Sequence, residues 1–312
     1  MNMYSRAYSN NDYESVRDFL NELYILNKNQ HSWLMARWEY AEYFVSPLYT
    51  IIGRDNWIST MRLWINDDFK IVGIIHSEEP SEEAFIQIHP DYRHIEKEMI
   101  NWAEKNIAFK TDDGTKKLVI HCHDGDEHRE KLLKGKGYKK SDRFEYLKWQ
   151  TLDKEIEDAK LPKGYSIHSA EDGIDVKKKN KCVVSAFNNE DYNEIEPDKE
   201  DISIFKSVEN APMYRKDLEI YTEDDNGDMA SYALIWFNPV TKTGVYEPVA
   251  TNNKHQRKGL GRAVIIEGLK RLKSLGAKIA YVGSADEKRS SFYKSAGFKE
   301  YDVYRKWVKE ID

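Results

Sequence analysis

Cysteine is nearly absent from this sequence, which contains only Cys122 and Cys182 among its 312 residues. Two cysteines that lie in different halves do not form the dense disulfide framework of small secreted domains. Long apolar runs are also missing, since none comes near the roughly 18–20 residues that a membrane-spanning helix needs. The first residues lack the basic and then apolar layout of a secretory signal. We therefore expect a reduced, cytoplasmic protein that has no membrane partner.

An excess of positive charge is missing as well. The chain has 48 lysines and arginines against 54 aspartates and glutamates, which gives a net charge of −6. A mildly acidic chain has no general attraction to nucleic acid, so we expect no nucleic-acid partner. Apolar residues make up 40% of the sequence, enough for a packed interior. The length suits two domains of about 150 residues each.

The predicted elements occur twice in the same order. In the second half a strand and a helix precede two alternating strands, joined at Asn226-Gly227, which is a strong hairpin signal. A strand, a helix, a strand, a short helix and a last strand follow. The stretch "IHCHDGDEHREKLLKGKGYKKSDRFEYLKW" aligns by eye with "AYVGSADEKRSSFYKSAGFKEYDVYRKWV". This internal repeat predicts a domain at 1–150, a polar linker at 151–162 and a domain at 163–312.

A basic loop that contains glycine, "HQRKGLGRA", lies between a strand and a helix of the second half. Glycine lets a backbone approach a ligand closely, and a helix N-terminus offers free N–H groups to an anion. Arg257, Lys258 and Arg262 add positive charge, so pyrophosphate is the obvious ligand. The loop lacks the ending of a P-loop and the third glycine of the dinucleotide fingerprint. Taken alone, it is explained equally well by a tight turn.

Together with "SSFYKSAGF" further along, the loop resembles the GCN5-related N-acetyltransferase (GNAT) superfamily. The family's acetyl-CoA loop, Q/R-x-x-G-x-G/A, and its later F-Y-x-x-x-G-F signature are matched by Gln256, Gly259 and Gly261, and by Phe292, Tyr293, Gly297 and Phe298. The resemblance covers residues 163–312. It implies a mixed α/β (α+β) fold, a mostly antiparallel twisted sheet flanked by helices, with the fourth and fifth strands splayed apart. Two such folds in tandem resemble the architecture of mycothiol synthase.

The resemblance implies acetyl-CoA as the cosubstrate and direct acyl transfer to an amine, without a metal. The residues expected to bind acetyl-CoA are Val249, Ala250, Thr251, Gln256, Arg257, Lys258, Gly259, Leu260, Gly261, Arg262 and Asp286, the last in place of a common asparagine. Val249 is the candidate oxyanion donor through its backbone N–H. Tyr293 falls on the usual general-acid position, although a buried aromatic is the plain alternative. Glu247 is the candidate base, because strand alternation places it on one face with Val249 and Thr251; a solvated carboxylate is the alternative.

The first half resembles the same fold with an altered site. His94 and Glu96 stand where the glycines should be, and Leu132-Leu133 replaces the Phe-Tyr pair. A carboxylate at that point would repel pyrophosphate, and a Cβ would obstruct it. We therefore expect this degenerate domain to leave acetyl-CoA unbound, and to pack against its neighbour and shape a substrate cleft.

Two further patterns receive plain interpretations. His121, Cys122, His123 and His128 could suggest zinc, but the repeat places them opposite an ordinary strand-to-helix turn. The "KKKNK" run is interpreted as a solvated helix face. The expected acceptor is a small-molecule amine, and the expected assembly is a monomer or a homodimer. The alternatives are an aminoacyl-tRNA-dependent transferase of the Fem type and a non-enzymatic regulatory protein that binds acyl-CoA.

Overall fold

The computed structural model describes residues 3–27, 33–47, 57–78, 83–110 and 114–311. The chain divides into two compact units, of which the first is Met1–Tyr146 with Asp302–Asp312 and the second is Leu147–Tyr301. The predicted domains were contiguous, whereas here the last segment of the chain belongs to the first unit. The physical reason is strand pairing, because residues 304–311 form an antiparallel ladder with residues 116–123.

The first unit is a sheet with helices α1 to α4. Its strands are β1 (Tyr4–Ala7), β2 (Arg62–Ile65), β3 (Ile71–His76), β4 (Glu83–Ile88), β5 (Phe109–Lys110), β6 (Lys116–His123), the start of β7 (Lys139–Thr151) and the end of β13 (Glu300–Ile311). Its helices are α1 (Tyr13–Leu26), α2 (Met35–Tyr40), α3 (Glu96–Asn106) and α4 (Glu127–Gly135). The strand order is β1-β2-β3-β4-β6-β13, with β5 on β6. Only the β4–β6 pair is parallel among these ladders.

The second unit repeats this plan. Its strands are the end of β7, β8 (Tyr165–Ser169), β9 (Glu219–Asp224), β10 (Met229–Asn238), β11 (Thr243–Thr251) and β12 (Ile279–Ser284). Its helices are α5 (Val176–Asn188), α6 (Lys199–Ser207), α7 (Leu260–Ser274) and α8 (Glu287–Ser295). The strand order is β8-β9-β10-β11-β12-β7, and β11 runs parallel to β12.

Short helical turns complete the described chain. They are 3-10 turns at Asn10–Asp12, Ile58–Thr60, Pro90–Ile95, Ala170–Asp172, Val208–Asn210, Lys216–Leu218 and Asn253–His255, and a π-helical turn at Ala41–Val45. None of the helices in the described ranges combines the length and the apolar character needed to cross a membrane.

The splayed strand pair that the resemblance implied is present in both units, and the fold prediction is confirmed. In the second unit β11 pairs with β12 only over Thr243–Tyr246, although β11 continues to Thr251. In the first unit the parallel pairing of β4 with β6 is restricted to Glu83 and Ala84. Each sheet therefore opens a gap between two neighbouring parallel strands, where backbone groups face away from any ladder.

In helix α7, Ile265, Leu269 and Leu272 lie at i, i+4 and i+7, the spacing that predicts one apolar helix face. Ile265, Leu269 and Leu272 are all buried in the core of the second unit. The helix ends where Gly276 adopts φ 83°, and the N–H of Ala277 bonds to the carbonyl of Leu272 at 3.0 Å. Helices commonly end in this way, with a glycine in the left-handed backbone conformation just after the last turn.

Three features differ from the plain sequence interpretation or extend it. The polar linker packs against the second unit, since Leu152 is buried and the ammonium of Lys270 on α7 lies 2.5 Å from Asp158. Helix α6 was not predicted, because its apolar residues are too few to show a clear period.

The "KKKNK" interpretation was wrong for Lys179, which is 1% exposed and lies 2.8 Å from Glu219. Helix α5 packs on β10 and β11, and this one lysine is buried opposite the buried carboxylate of Glu219, at the start of β9.

Candidate active site

The glycine loop leads directly into the N-terminus of α7. Gly259 precedes the helix with φ 85°, in the left-handed region that favours glycine. The N–H of Ala263 bonds to the Gly259 carbonyl at 3.0 Å. The N–H groups of Leu260, Gly261 and Arg262 therefore have no acceptor within the helix. They present three donors, together with the positive end of the helix dipole, to any anion at this point.

The two glycines of the loop have different functions. A Cβ on Gly261 would lie 2.8 Å from Thr251 Oγ1 and 3.2 Å from Phe292 Cζ. A Cβ on Gly259 would have no heavy atom within 4 Å. Gly261 therefore permits close packing of α7 on β11 and α8, and only Gly259 is required for its backbone angle.

Strand β11 contains a bulge beside the opening between β11 and β12. On β10, Ala233 pairs with Val249 and Ile235 pairs with Tyr246, so β11 has one residue more than β10 between these pairs. A bulge of this kind interrupts the regular alternation of side chains. Tyr246 reaches α7 through a 2.8 Å bond from its hydroxyl to the Ile265 carbonyl.

Val249 also packs against the core that α7 covers. Tyr246 and Val249 share a face although they are three positions apart. The strict alternation that placed Glu247 on the face of Val249 therefore does not hold here. The bulge is the physical reason. Glu247 is half-buried, and its direction is set by the bulge rather than by the period of the strand.

The backbone of Val249 is directed away from β10. Asn252 donates its N–H to the Ala230 carbonyl at 3.0 Å, which marks this pair as hydrogen-bonded. Because bonded and non-bonded pairs alternate in an antiparallel ladder, the pair at Val249 is non-bonded. Its N–H is therefore directed to the side where β12 has diverged. In agreement, the Thr251 carbonyl accepts a 3.4 Å bond from Gln256 Nε2 instead of from β10.

Tyr293 lies on α8 with its ring between Phe292 and Phe298. It is 7% exposed. Burial, and then the charge of Glu247, raise the pKa of its hydroxyl well above the usual value. The hydroxyl is thus protonated at neutral pH, and Glu247 is close enough for its charge to be felt there.

These groups surround one cavity of about 500 Å³. The predicted residues that line it are Val249, Ala250, Thr251, Gln256, Arg257, Gly259, Leu260, Gly261, Arg262, Asp286 and Tyr293. Lys258 and Glu247 are not among the lining residues. The lining residues that the sequence interpretation missed are Ala186, Phe187, His255, Lys288, Arg289, Phe292 and Ser295. Phe292 was noticed only as part of a signature. The basic pair Lys288-Arg289 was a readable signal, whereas Ala186 and Phe187 come from distant α5 and had none.

Two predicted residues are engaged elsewhere. Asp286 caps α8, since its carboxylate accepts the Arg289 N–H at 2.8 Å. Lys258 donates to the Tyr165 hydroxyl at 2.8 Å, and that hydroxyl lies 2.9 Å from His255 Nδ1. Burial and the charge of Lys258 lower the pKa of His255, so its imidazole is neutral at neutral pH. The positive charge around the cavity comes from Arg257, Arg262 and the missed basic pair.

The family model described as Acetyltransferase (GNAT) family matches residues 184–298, a range that includes β9 to β12, α7 and α8. Residues 184–298 form a GNAT acetyltransferase domain. The cavity, the splayed pair β11 and β12 and the glycine loop all lie in the second unit with this GNAT domain. No curated protein sequence matches the chain significantly.

Solved structures extend the likeness to nearly the whole chain. A GCN5-related N-acetyltransferase from Sphaerobacter thermophilus has TM-score 0.65 and 14% identity, over 99% of this chain and 96% of that one. A tandem GNAT protein from the clavulanic acid biosynthesis pathway, solved without acetyl-CoA, has TM-score 0.63 and 14% identity, over 100% and 99%. A GCN5-related N-acetyltransferase from Kribbella flavida has TM-score 0.50 and 12% identity, over 85% and 96%. The fold is thus that of tandem GNAT proteins.

The first unit has an ion-pair network at the start of α3. Glu96 is fully buried and pairs with Arg93 at 2.7 Å and with Arg129 of α4. Arg129 also donates to the Ile86 carbonyl of β4 at 3.1 Å. Burial would raise the pKa of Asp126, but the charges of Arg129 and Arg93 outweigh it and lower that pKa to about 2.

The histidine-rich strand β6 has protein partners. His121 lies 2.7 Å from Glu83, and His123 lies 3.1 Å from Asp302. Cys122 is buried in the core of the first unit. Within the described ranges, no three histidine, cysteine, aspartate or glutamate side chains are grouped in a way that could hold a metal ion.

Proposed function

We propose that the second unit is an acyl-CoA-dependent N-acyltransferase, which moves the acetyl group of acetyl-CoA directly to a primary amine of a small molecule. The observation that carries the proposal is the meeting of three features at one cavity. These are the open N-terminus of α7, the edge of β11 that extends beyond its pairing with β12, and the hydroxyl of Tyr293. The first suits an anion, the second an amide chain, and the third a leaving group.

The cofactor would be held by backbone more than by side chains. The pyrophosphate would accept from the N–H groups at the start of α7, with Arg257 and Arg262 adding charge. The amide groups of pantetheine would pair with the edge of β11 between Val249 and Thr251. Asp286, which is a helix cap here, would contribute little beyond its position on the cavity wall.

Three groups of this chain would serve the chemistry. The Val249 N–H would stabilise the oxyanion that develops on the thioester carbonyl. Glu247 would accept the proton that the attacking ammonium must lose, directly or through water. Tyr293 would donate its proton toward the leaving sulfur. Because burial raises the pKa of Tyr293, a strong hydrogen bond to the thiolate is favoured over complete proton transfer.

The test is an acetyl-transfer assay with a panel of small primary amines, in which release of free CoA is followed with a thiol reagent. We expect turnover with at least one amine. The variant Glu247→Gln should reduce kcat by about 10²-fold or more, and should remove the acidic limb of the pH–rate profile. Glu223→Gln on β9 is a matched control that should retain the wild-type rate. Binding of acetyl-CoA without transfer to any amine would favour a non-enzymatic acyl-CoA-binding protein instead.

A further inference from the structure

Trp236 is a buried residue of β10 that contacts the bulge of β11. Its side chain is 0% exposed, and it pairs across the ladder with Val245. Its indole Nε1 donates to the backbone carbonyl of Glu247 at 2.8 Å. A diagonal contact of this kind lies within the reach of an aromatic side chain in an antiparallel pair.

At the bulge, the regular pairing between the backbones of β10 and β11 is interrupted. In the register, Glu247 and Pro248 of β11 lie opposite the single residue Leu234 of β10, and the proline has no N–H to donate. The next residue is Val249, whose N–H is directed into the opening between β11 and β12. The orientation of that N–H therefore depends on how the two preceding residues are held, and the Trp236 bond is a contact that holds one of them.

We propose that Trp236 is a positioning residue for acyl transfer, which fixes the bulge so that the Val249 N–H is directed at the thioester carbonyl. This inference rests on the proposed function of the same site. Trp236 touches no reacting atom in it and acts only through the Glu247 carbonyl. The role is specific to the thioester end of the cofactor, because the pyrophosphate donors lie on α7.

The test compares Trp236→Phe with the matched control Trp64→Phe. Trp64 is 1% exposed, lies on β2 of the first unit, and donates one indole bond of 2.9 Å to Glu98. Both variants lose one indole N–H and similar buried volume. We measure kcat with the best amine of the panel, the Kd values for acetyl-CoA and for CoA by calorimetry, and the thermal unfolding midpoint.

We expect Trp236→Phe to lower kcat by about 10- to 100-fold, since small displacements of a catalytic group have effects of that size. The Kd for CoA, which has no acetyl carbonyl, should change by less than about twofold. Any preference of the wild type for acetyl-CoA over CoA should be lost. Trp64→Phe should retain kcat and that preference, at a comparable loss of thermal stability.

Wild-type kcat in Trp236→Phe, or loss of CoA binding together with activity, would overturn the positioning role. If Trp236→Phe does not fold, a tryptophan analogue with sulfur in place of the indole N–H keeps the shape and removes only the donor. The same two results with the analogue would overturn the role. A wild-type protein that binds acetyl-CoA but acetylates no amine would overturn the proposed function instead, and the two failures are thereby distinguished.

Discussion

The hydroxyl of Tyr293 is the side-chain group on α8 from which we expect the largest effect. Replacing Tyr293 with phenylalanine keeps the ring that packs on Phe292 and Phe298 and removes only the hydroxyl. We expect kcat to fall by about 10²-fold or more, while the Kd for acetyl-CoA stays nearly constant. The measurement is steady-state kinetics combined with calorimetry.

Tyr221→Phe is the matched control for this substitution. Tyr221 is buried on β9, and its hydroxyl donates to the Gly173 carbonyl at 2.6 Å, among residues that do not line the cavity. Its loss should leave kcat unchanged. Because the pKa of Tyr293 is raised, its proton is retained throughout the range from pH 6 to about 9 and should give no alkaline limb. Full turnover by Tyr293→Phe would contradict the catalytic role of the hydroxyl and would show that Tyr293 serves only in packing.

The contact between α7 and β11 predicts that a larger residue at Gly261 destabilises the protein. Gly261→Ala would place a methyl group 2.8 Å from Thr251 Oγ1, so α7 must move away from the strand. We expect the free energy of unfolding to fall by about 1–3 kcal/mol, with weaker binding of acetyl-CoA. Urea unfolding and calorimetric titration measure the two effects.

Gly135→Ala in α4 is the corresponding control. A Cβ there meets nothing within 4 Å, and the residue ends a helix without left-handed backbone. We expect this substitution to leave the unfolding free energy unchanged or to raise it by about 0.5–1 kcal/mol. Equal destabilisation by both substitutions would show that helix propensity, and not the contact with Thr251, is the cause.

The elements themselves were largely predictable from the sequence. The strand before the glycine loop, α7 and the hairpin at Asn226-Gly227 each combine a clear period with a distinct end signal, and each is present. The splaying of β11 from β12 was implied only by the family resemblance, and the effect of the β11 bulge on the face of Glu247 could not be derived. A bulge is decided by packing against both neighbouring strands, which a local period does not report.

For the whole molecule we predict one acetyl-CoA per chain. In the first unit the carboxylate of Glu96 and the guanidinium of Arg129 neutralise each other at the start of α3. No positive charge is then left over from this pair for a pyrophosphate. Calorimetric titration of the full chain with acetyl-CoA should therefore give a stoichiometry near one.

A pair of substitutions at Gly259 assigns that one site to the second unit. Asparagine and aspartate both tolerate left-handed backbone better than other residues do, so Gly259→Asn and Gly259→Asp impose similar strain. Only the aspartate places a negative charge at the N-terminus of α7. We expect at least tenfold weaker binding by Gly259→Asp than by Gly259→Asn. Two sites per chain, or equal binding by the two variants, would contradict the assignment.

The sequence by itself determined the tandem plan, the glycine loop and the place of Tyr293, because each depends on short-range signals that neighbouring residues carry. Only the tertiary structure decided which residues meet. It placed Phe187 and Lys288 on the cavity wall, engaged Lys258 with Tyr165, and buried Lys179 against a carboxylate. It also assigned the last strand to the first unit. These outcomes depend on contacts between segments far apart in the chain, which local periodicity does not record.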